Sequence, residues 1–480
     1  MTEPTASAVL AQIRQRAVAD LVDRVPELVD LGKLFAAAGN ELAAVGGCVR
    51  DAVLGELEHV DVDLATDAHP DVALGILGRW ADSVWDVGIG FGTVGARKHG
   101  LTWEVTTYRC DSYDLSSRKP AVQYGSSLSE DLVRRDFTIN AMAVTLEDLR
   151  FVDEHNGLVD LAARRLRTPG PPERSFSDDP LRMMRAARFV SQLGVAVAPD
   201  ALAAITDMCD RLAIVSAERI RDELTRLLMG ANPRAGLGVL VDTGLAEYVV
   251  PEVAGLRLEA DEHHRHKDVY EHTLTVLDQA IALEDSGPDL VLRLAALMHD
   301  IGKPRTRRFE ADGQVSFHHH EVVGARMATK RLTALRYSKE IVTDVARLVE
   351  LHLRFHGYGT GQWTDAAVRR YVRDAGPLLP RLHKLTRADC TTRNPRRGRA
   401  LQRAYDDVEA RIDRLAAQEE LDSIRPELDG NQIMEILGVP PSREVGEAYQ
   451  FLLELRLEDG PIGPEAARTA LEAWWVERSG

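Results

Sequence analysis

The 480-residue chain carries 59 lysines and arginines against 75 aspartates and glutamates, a formal net charge of −16 at pH 7. With 45% hydrophobic and 28% charged residues it has the composition of a globular protein, and its length predicts two to four domains. No apolar run reaches the roughly eighteen residues of a membrane span, and the N-terminus lacks the basic-then-apolar pattern of a secretory leader.

Residues 31–168 mix strand and helix signals. Leu42-Ala43-Ala44-Val45 reads as a strand, and Gly46-Gly47 opens a short helix over Cys48–Leu54. Free N–H groups at such a start, with no Cβ in the way, can receive an anion. Asp61 and Asp63 then stand at i and i+2 on a strand, so both carboxylates point to one face. Two hard oxygen ligands on one face suit Mg²⁺, which takes its other ligands from water and substrate phosphates. An Asp-x-Asp on a solvated strand edge is common, and a Gly-Gly turn is commoner. Their ordered combination favours a metal–triphosphate site, with nucleotidyl transfer as the leading reaction.

Thr93–Ala96 and Thr102–Tyr108 read as further strands, the second carrying Glu104, either a third carboxylate or a solvated strand residue. Arg109–Ser129 is polar, holds Asp114 and Arg118-Lys119-Pro120, and reads as a long mobile loop. Arg134-Arg135 precede an apolar stretch, Phe137–Ala143, that reads as a helix start; an arginine there suits bidentate contact with phosphate oxygens. Thr168-Pro169-Gly170-Pro171-Pro172 marks a first domain boundary.

Beyond it the pattern is helical. Pro180 suits a first helical turn with Asp179 as its N-cap, and Leu181, Met184, Ala187, Phe189 and Leu193 follow near helical spacing. Arg182, Arg185 and Arg188 form a slowly rotating basic ridge. Asp179 and Arg182, one turn apart, can offer an acceptor and a donor to a base edge. For any one of these arginines an ordinary surface pair is the plain alternative. A second boundary falls near Val250-Pro251-Glu252. Residues 361–403 hold eleven Arg/Lys against three Asp, a local +8, which fits either phosphate contact or a solvated helical face. Cys48, Cys110, Cys209 and Cys390 lack metal-ligand spacing, which predicts a reduced, cytoplasmic protein.

Together these residues resemble the bacterial class II CCA-adding tRNA nucleotidyltransferase and poly(A) polymerase family, in an actinobacterial form with an HD domain. Gly46–Asp51 with Asp61-Val62-Asp63 is similar to its first motif, and Arg134–Ala141 to its second. Asp153–Gly157 with Asp160 is similar to its hinge motif. Asp178-Asp179-Pro180-Leu181-Arg182 is similar to its Glu-Asp-x-x-Arg motif, with Asp178 where Glu is usual, and Glu218–Leu224 to a later motif that packs the helices. The resemblance implies an α+β nucleotidyltransferase head, a small mixed sheet with helices, over 31–168. It implies an all-α neck over 169–255, an HD-type body over 260–410 and a helical, tRNA-binding tail over 411–480. It implies that Asp61 and Asp63 bind Mg²⁺ and that Gly47, Arg50 and Arg135 hold the triphosphate and sugar. Asp179 and Arg182 would read the base of CTP or ATP, with further contacts from Arg185 and Arg188. The reaction would add CCA to the 3′ end of tRNA, with no membrane involved; the long loop favours full CCA addition over the A-only or poly(A) alternatives.

In the middle segment, His299-Asp300-Ile301-Gly302-Lys303 resembles the HD metal phosphohydrolases. Adjacent His and Asp at a helix end, with more on neighbouring helices, make a divalent-metal ligand mixture. The resemblance implies His272, His299, Asp300 and Asp389 as ligands of a second divalent metal, which His320 and His352 extend toward two ions. It allows a phosphohydrolase that repairs RNA ends, as an extra or even the main activity, and equally a domain kept as a tRNA-binding body.

Overall fold

The structure is a computed structural model that describes residues 6–57, 61–86, 88–112, 121–125, 127–257, 269–311, 315–355, 363–391, 395–418 and 424–479. Two compact units divide at Val249/Val250. Among the described residues no helix is long and apolar enough to cross a membrane.

The first unit opens with α1 (Ala6–Arg24) and α2 (Glu27–Ala37), then β1 (Leu42–Val45), α3 (Gly47–Leu54), β2 (Val62–Thr66), α4 (Pro70–Trp80), β3 (Ser83–Trp85), β4 (Thr93–Lys98) and β5 (Leu101–Thr107). After β6 (Arg109–Ser112), β7 (Ala121–Tyr124) and α5 (Leu128–Val133) come β8 (Ala143–Thr145) and β9 (Phe151–Val152). Seven strands form one sheet in the order β3-β4-β5-β2-β1-β8-β9. Only the β2–β5 pair is parallel, so the sheet is mixed. All four residues of β1 are buried, as a central strand covered on both faces requires. In β2 the alternation survives where it matters: Val62 and Leu64 are buried, while Asp61, just before the strand, and Asp63 are not.

Two local expectations change. The polar stretch after Tyr108 is not all loop, because β6 and β7 pair antiparallel from Arg109↔Tyr124 to Ser112↔Ala121; Asp114, Arg118, Lys119 and Pro120 lie outside the described residues. The helix read at Phe137–Ala143 is a single 3-10 turn, Thr138–Asn140. Its apolar residues Phe137, Ile139, Ala141 and Met142 are all completely buried. Burial on every side suits an irregular segment threaded through the core, not an amphipathic helix.

The helical part of this unit follows α6 (Gly157–Ala162) and β10 (Arg165–Leu166), which pairs in parallel with β11 (Ala196–Val197). It comprises α7 (Pro172–Asp178), α8 (Leu181–Leu193), α9 (Pro199–Met208), α10 (Ala217–Leu228), α11 (Pro233–Asp242) and α12 (Ala246–Val249). The α8 helix packs on both α10 and α11.

The second unit holds α13 (Pro251–Ala254), α14 (Val269–Ala282), α15 (Leu290–Met298), α16 (Lys303–Thr306), the β12 (Arg308–Phe309) and β13 (Val315–Ser316) hairpin, α17 (His320–Ala334) and α18 (Lys339–Leu351). It continues through α19 (Asp365–Ala375), α20 (Leu379–Asp389) and α21 (Pro395–Gln418) to a tail of α22 (Gly430–Leu437), α23 (Arg443–Asp459) and α24 (Pro464–Ser479). In the tail Asp429 and Gln432 form a capping box, and Ile433, Leu452 and Leu471 share one core. Much of the basic stretch 361–403 is neutralised within this unit. Arg369 donates to the carbonyls of Leu457 and Glu458; Arg370, Arg381, Lys384 and Arg387 pair with Glu458, Asp289, Asp285 and Asp406. These residues are thus engaged within the unit, which is neither the bare solvated face nor the phosphate contact expected from the sequence.

The closeness of α8, α10 and α11 rests on one glycine. A Cβ on Gly236 would lie 2.7 Å from the Ala187 carbonyl oxygen and 3.0 Å from Leu227 Cγ, whereas one on Gly238 meets nothing within 4 Å. Gly236→Ala is therefore expected to destabilise the chain by about 1–3 kcal/mol through overpacking. Gly238→Ala should be neutral or stabilise by up to about 1 kcal/mol through helix propensity. Urea unfolding of both variants beside the parent checks this.

Candidate functional site

A cavity of about 500 Å³ opens where the start of α3, β2 and α8 converge. Gly46 makes the convergence possible. It has φ +75°, and a Cβ there would stand 3.1 Å from Arg135 Nη1 and 3.7 Å from Asp63 Oδ2. A side chain would thus be strained and would fill the space between Arg135 and Asp63. Gly47, Arg50, Asp61, Asp63, Arg135 and the α8 arginines all line the cavity, so sequence-distant candidates meet in one place.

Most charges around the cavity are matched. Arg50 pairs with Asp51 at 2.8 Å and donates to Asn140 Oδ1 at 2.8 Å. Asn140 Nδ2 donates to Asp136 Oδ1 at 3.1 Å, and Arg185 reaches the other Asp136 oxygen at 2.5 Å. Arg135 pairs with Asp131 at 2.8 Å, and Arg188, buried, pairs with Glu223 at 2.6 Å. Asp179 accepts from Leu181 N–H at 3.1 Å and from Arg219 at 2.8 Å. Its carboxylate thus caps α8 although Pro180 is the formal cap residue. Arg182 meets Asp179 only through the backbone, its N–H donating to the Asp179 carbonyl at 3.0 Å; the two side chains do not pair. Its donors go to Ser175 Oγ at 2.9 Å and to the Arg134 carbonyl at 2.5 Å.

Among the described residues Asp61 and Asp63 take part in no ion pair. Burial pushes the Asp63 carboxyl up to about 6, against the pull of Arg135, and Glu104 and Asp61 add to the rise. Two neighbouring carboxylates without a cation, in a cavity whose other charges are balanced, fit a divalent ion chemically. Glu104 is the direct β5 partner of Asp63 in register. It lines a second cavity of about 220 Å³ that shares Asp63, Arg135 and Arg182 with the first.

Asp131, Asp136, Asn140 and Glu223, which hold the arginines, were not singled out from sequence as site residues. The signals for them are indirect: Asp131 stands i,i+4 from Arg135, Asp136 and Asn140 lie within the Arg134–Ala141 motif, and Glu223 lies within Glu218–Leu224. Asp136 is the node. Burial raises its pKa, but Arg185, Asn140 and Arg182 overcome that and bring it down to about 2.

The second unit carries an independent cluster. His272 Nε2 lies 3.0 Å from Asp389 and 3.5 Å from Asp300; His299 Nε2 lies 3.2 Å from Asp300 and 3.7 Å from Asp389; His320 Nε2 lies 3.3 Å from Asp300. His272, His299 and Asp389 form one group able to hold an ion, and Asp300, His320 and His352 another. Helix ends place them: His299 caps α15, His352 caps α18, His320 begins α17 and Asp389 ends α20. The Nδ1 atoms of His299, His320 and His352 each lie within 2.8 Å of the carbonyl three residues before. That contact fixes the proton on Nδ1 and turns the Nε2 lone pair inward, the tautomer a metal needs. The Nε2 atoms of His320 and His352 are buried with no hydrogen-bond partner among the described residues. Burial lowers His352 to about 3, keeping it neutral. Gly302 lets α16 and α17 meet, since a Cβ there would fall 2.1 Å from the His320 carbonyl oxygen.

Known proteins divide along the same lines. Residues 42–167 match the Poly A polymerase head domain, 194–256 the probable RNA and SrmB-binding site of polymerase A, and 269–394 the HD domain. The A-adding tRNA nucleotidyltransferase of Deinococcus radiodurans is 36% identical over 448 residues, covering 91% of this chain and 96% of that protein. The CCA-adding enzyme of Levilactobacillus brevis is 44% identical over 225 residues, 47% of this chain and 55% of that enzyme. The chain thus matches about half the length of that CCA-adding relative and nearly all of the A-adding one. The crystal structure of the Bacillus stearothermophilus CCA-adding enzyme in complex with CTP superposes with a TM-score of 0.69 at 25% identity, over 95% of this chain and 98% of that one. A poly A polymerase-type head followed by an HD domain defines the class as a nucleotidyltransferase. The chain belongs to the tRNA nucleotidyltransferase family.

The Asp136 node yields a pH prediction. Its folded pKa of about 2 lies below the ordinary 3.8, so its contribution is full above pH 4 and is lost as pH falls toward 2. The shift corresponds to about 2 kcal/mol. Asp136→Asn should cost about 2–4 kcal/mol at pH 7, because it leaves Arg185 without its carboxylate. Denaturant unfolding at stepped pH should show the gap to the parent narrowing between pH 4 and pH 2.

Proposed function

We propose that this protein adds nucleotides from CTP and ATP to the 3′ end of tRNA without a nucleic-acid template, completing CCA. The carrying observation is the pair Asp61/Asp63, left without cationic partners in a cavity ringed by arginines. The two aspartates would hold Mg²⁺, which when bound orients a triphosphate and offsets charge developing at the attacked phosphorus. The amide of Gly47 at the α3 start, Arg50 and Arg135 would bind phosphate and sugar oxygens. The terminal 3′-hydroxyl oxygen of tRNA forms a bond to the α-phosphorus, the bond to the bridging oxygen breaks, and pyrophosphate leaves. Asp179 and Arg182 would read the base edge. Arg185 and Arg188 border the same cavity and, held by Asp136 and Glu223, would supply positive field and shape to the nucleotide. A cytoplasmic setting agrees with the tRNA substrate and with Cys48, Cys209 and Cys390, all free.

Support for C addition comes from the full-length likeness to the CTP-bound Bacillus enzyme; the Deinococcus relative favours A addition alone. A tRNA lacking CCA, given CTP alone and then CTP with ATP, separates them: two additions followed by a third are expected. Extension only of tRNA already ending in CC would sink C addition. Asp61→Ala or Asp63→Ala should lower either reaction by about a thousandfold or more.

The His/Asp cluster favours a second activity beside the first, metal-dependent hydrolysis of a phosphate ester at an RNA end. Hydrolysis of a 2′,3′-cyclic nucleotide to the nucleoside 2′- or 3′-monophosphate, water adding to phosphorus as one ribose P–O bond breaks, should vanish in His299→Ala and persist in Asp61→Ala. Loss in both or in neither would remove this reading.

A further inference from the structure

We propose that Arg219 is a positioning residue that sets base specificity by fixing the carboxylate of Asp179. The inference rests on the reading of Asp179 and Arg182 as the base-reading pair. Asp179 occupies the break between α7 and α8, with an extended backbone (φ −143°, ψ 101°). One of its oxygens accepts from Leu181 N–H at 3.1 Å, and the other from Arg219 Nη2 at 2.8 Å. Held at both oxygens, the carboxylate plane is fixed, yet an ionised carboxylate has about four acceptor directions, so room remains for a base.

Arg219 belongs to a helix that faces the reading elements along its length. The Ser216 hydroxyl caps α10 by accepting from Arg219 N–H at 3.4 Å. One turn further on, Glu223 holds Arg188 at 2.6 Å and reaches Arg185 at 4.0 Å; Arg226 then lines the cavity. The helix is itself anchored to α8 through Ser191 Oγ, which donates to the Leu227 carbonyl at 2.6 Å. The Arg219–Asp179 pair is half exposed on its arginine side, so its worth to folding is small, about 0–1 kcal/mol. Its consequence lies in chemistry. Cytosine and adenine present an amino donor where uracil and guanine present a carbonyl oxygen. A fixed carboxylate accepts from the first pair and repels the second; one free to rotate can turn away from a carbonyl.

The test uses the full chain with tRNA lacking CCA, comparing Arg219→Ala, Arg219→Lys, Asp179→Ala and the Arg219→Ala/Asp179→Ala double variant. For Arg219→Ala the CTP KM should rise about tenfold with kcat within about twofold, and the CTP-over-UTP preference should fall about tenfold. Arg219→Lys should restore most of the preference, and the double variant should match Asp179→Ala alone, because Arg219 acts through Asp179. An unchanged CTP/UTP preference in Arg219→Ala, beside a clear loss in Asp179→Ala, overturns the role. Additive losses in the double variant overturn it as well. A normal preference in Asp179→Ala would instead overturn the reading of Asp179 as a base reader, and this role with it.

Discussion

The first unit depends on how the buried carboxylate of Asp136 is satisfied. It is almost wholly removed from water, which alone would disfavour its charge. It stays ionised because Arg185 reaches it from α8 and Asn140 from the 3-10 turn. Asn140 in turn receives Arg50 from α3. Three segments far apart in sequence are thereby tied to one anion, and each also borders the cavity. Breaking that tie would leave Arg185 without its closest carboxylate and Asn140 without the acceptor that orients it toward Arg50. The same contacts that stabilise the unit therefore also place arginines from α3 and α8 on the cavity wall.

Against this background of matched charge, the unmatched groups acquire meaning. Asp61 and Asp63 have no cationic partner among the described residues, and Asp63 is pushed up to about 6 by burial. Every other carboxylate of the cavity is paired, and these two are the proposed seat of an external cation. The second unit repeats the logic with imidazoles: Nδ1 of three histidines is occupied by backbone carbonyls, and Nε2 faces an acidic interior. In both places the proposal is the same: the protein supplies the shell and an ion the centre.

The parts of this plan legible in the sequence were those written in local spacing. Asp61 and Asp63 at i,i+2, Gly46-Gly47 at a helix start, and His299-Asp300 at a helix end each encode their geometry within a few residues. β1 was read to the residue because four consecutive apolar residues before a glycine pair leave little choice. What stayed hidden depends on partners distant in the chain. Asp136, Asn140 and Glu223 look like ordinary polar residues until Arg185, Arg50 and Arg188 arrive from elsewhere. The 3-10 turn at Thr138–Asn140 escaped for a related reason: its apolar residues are buried on all sides, which periodicity cannot distinguish from a helix.

Arg182 shows most directly why proximity in sequence is not contact. Spacing puts it one turn from Asp179, yet its guanidinium turns toward Ser175 and the Arg134 carbonyl, while Asp179 turns to Arg219 on another helix. Each member of the proposed base-reading pair is thus anchored from outside the pair: Arg182 by the segment that carries Arg135, Asp179 by α10. Anchoring from two directions keeps an acceptor and a donor side by side without letting them neutralise each other. A direct salt bridge between them would close the very hydrogen-bonding positions a base must occupy. A protein that reads bases without a nucleic-acid template needs its acceptor and donor held apart and ready, and the neighbours of Asp179 and Arg182 meet that requirement.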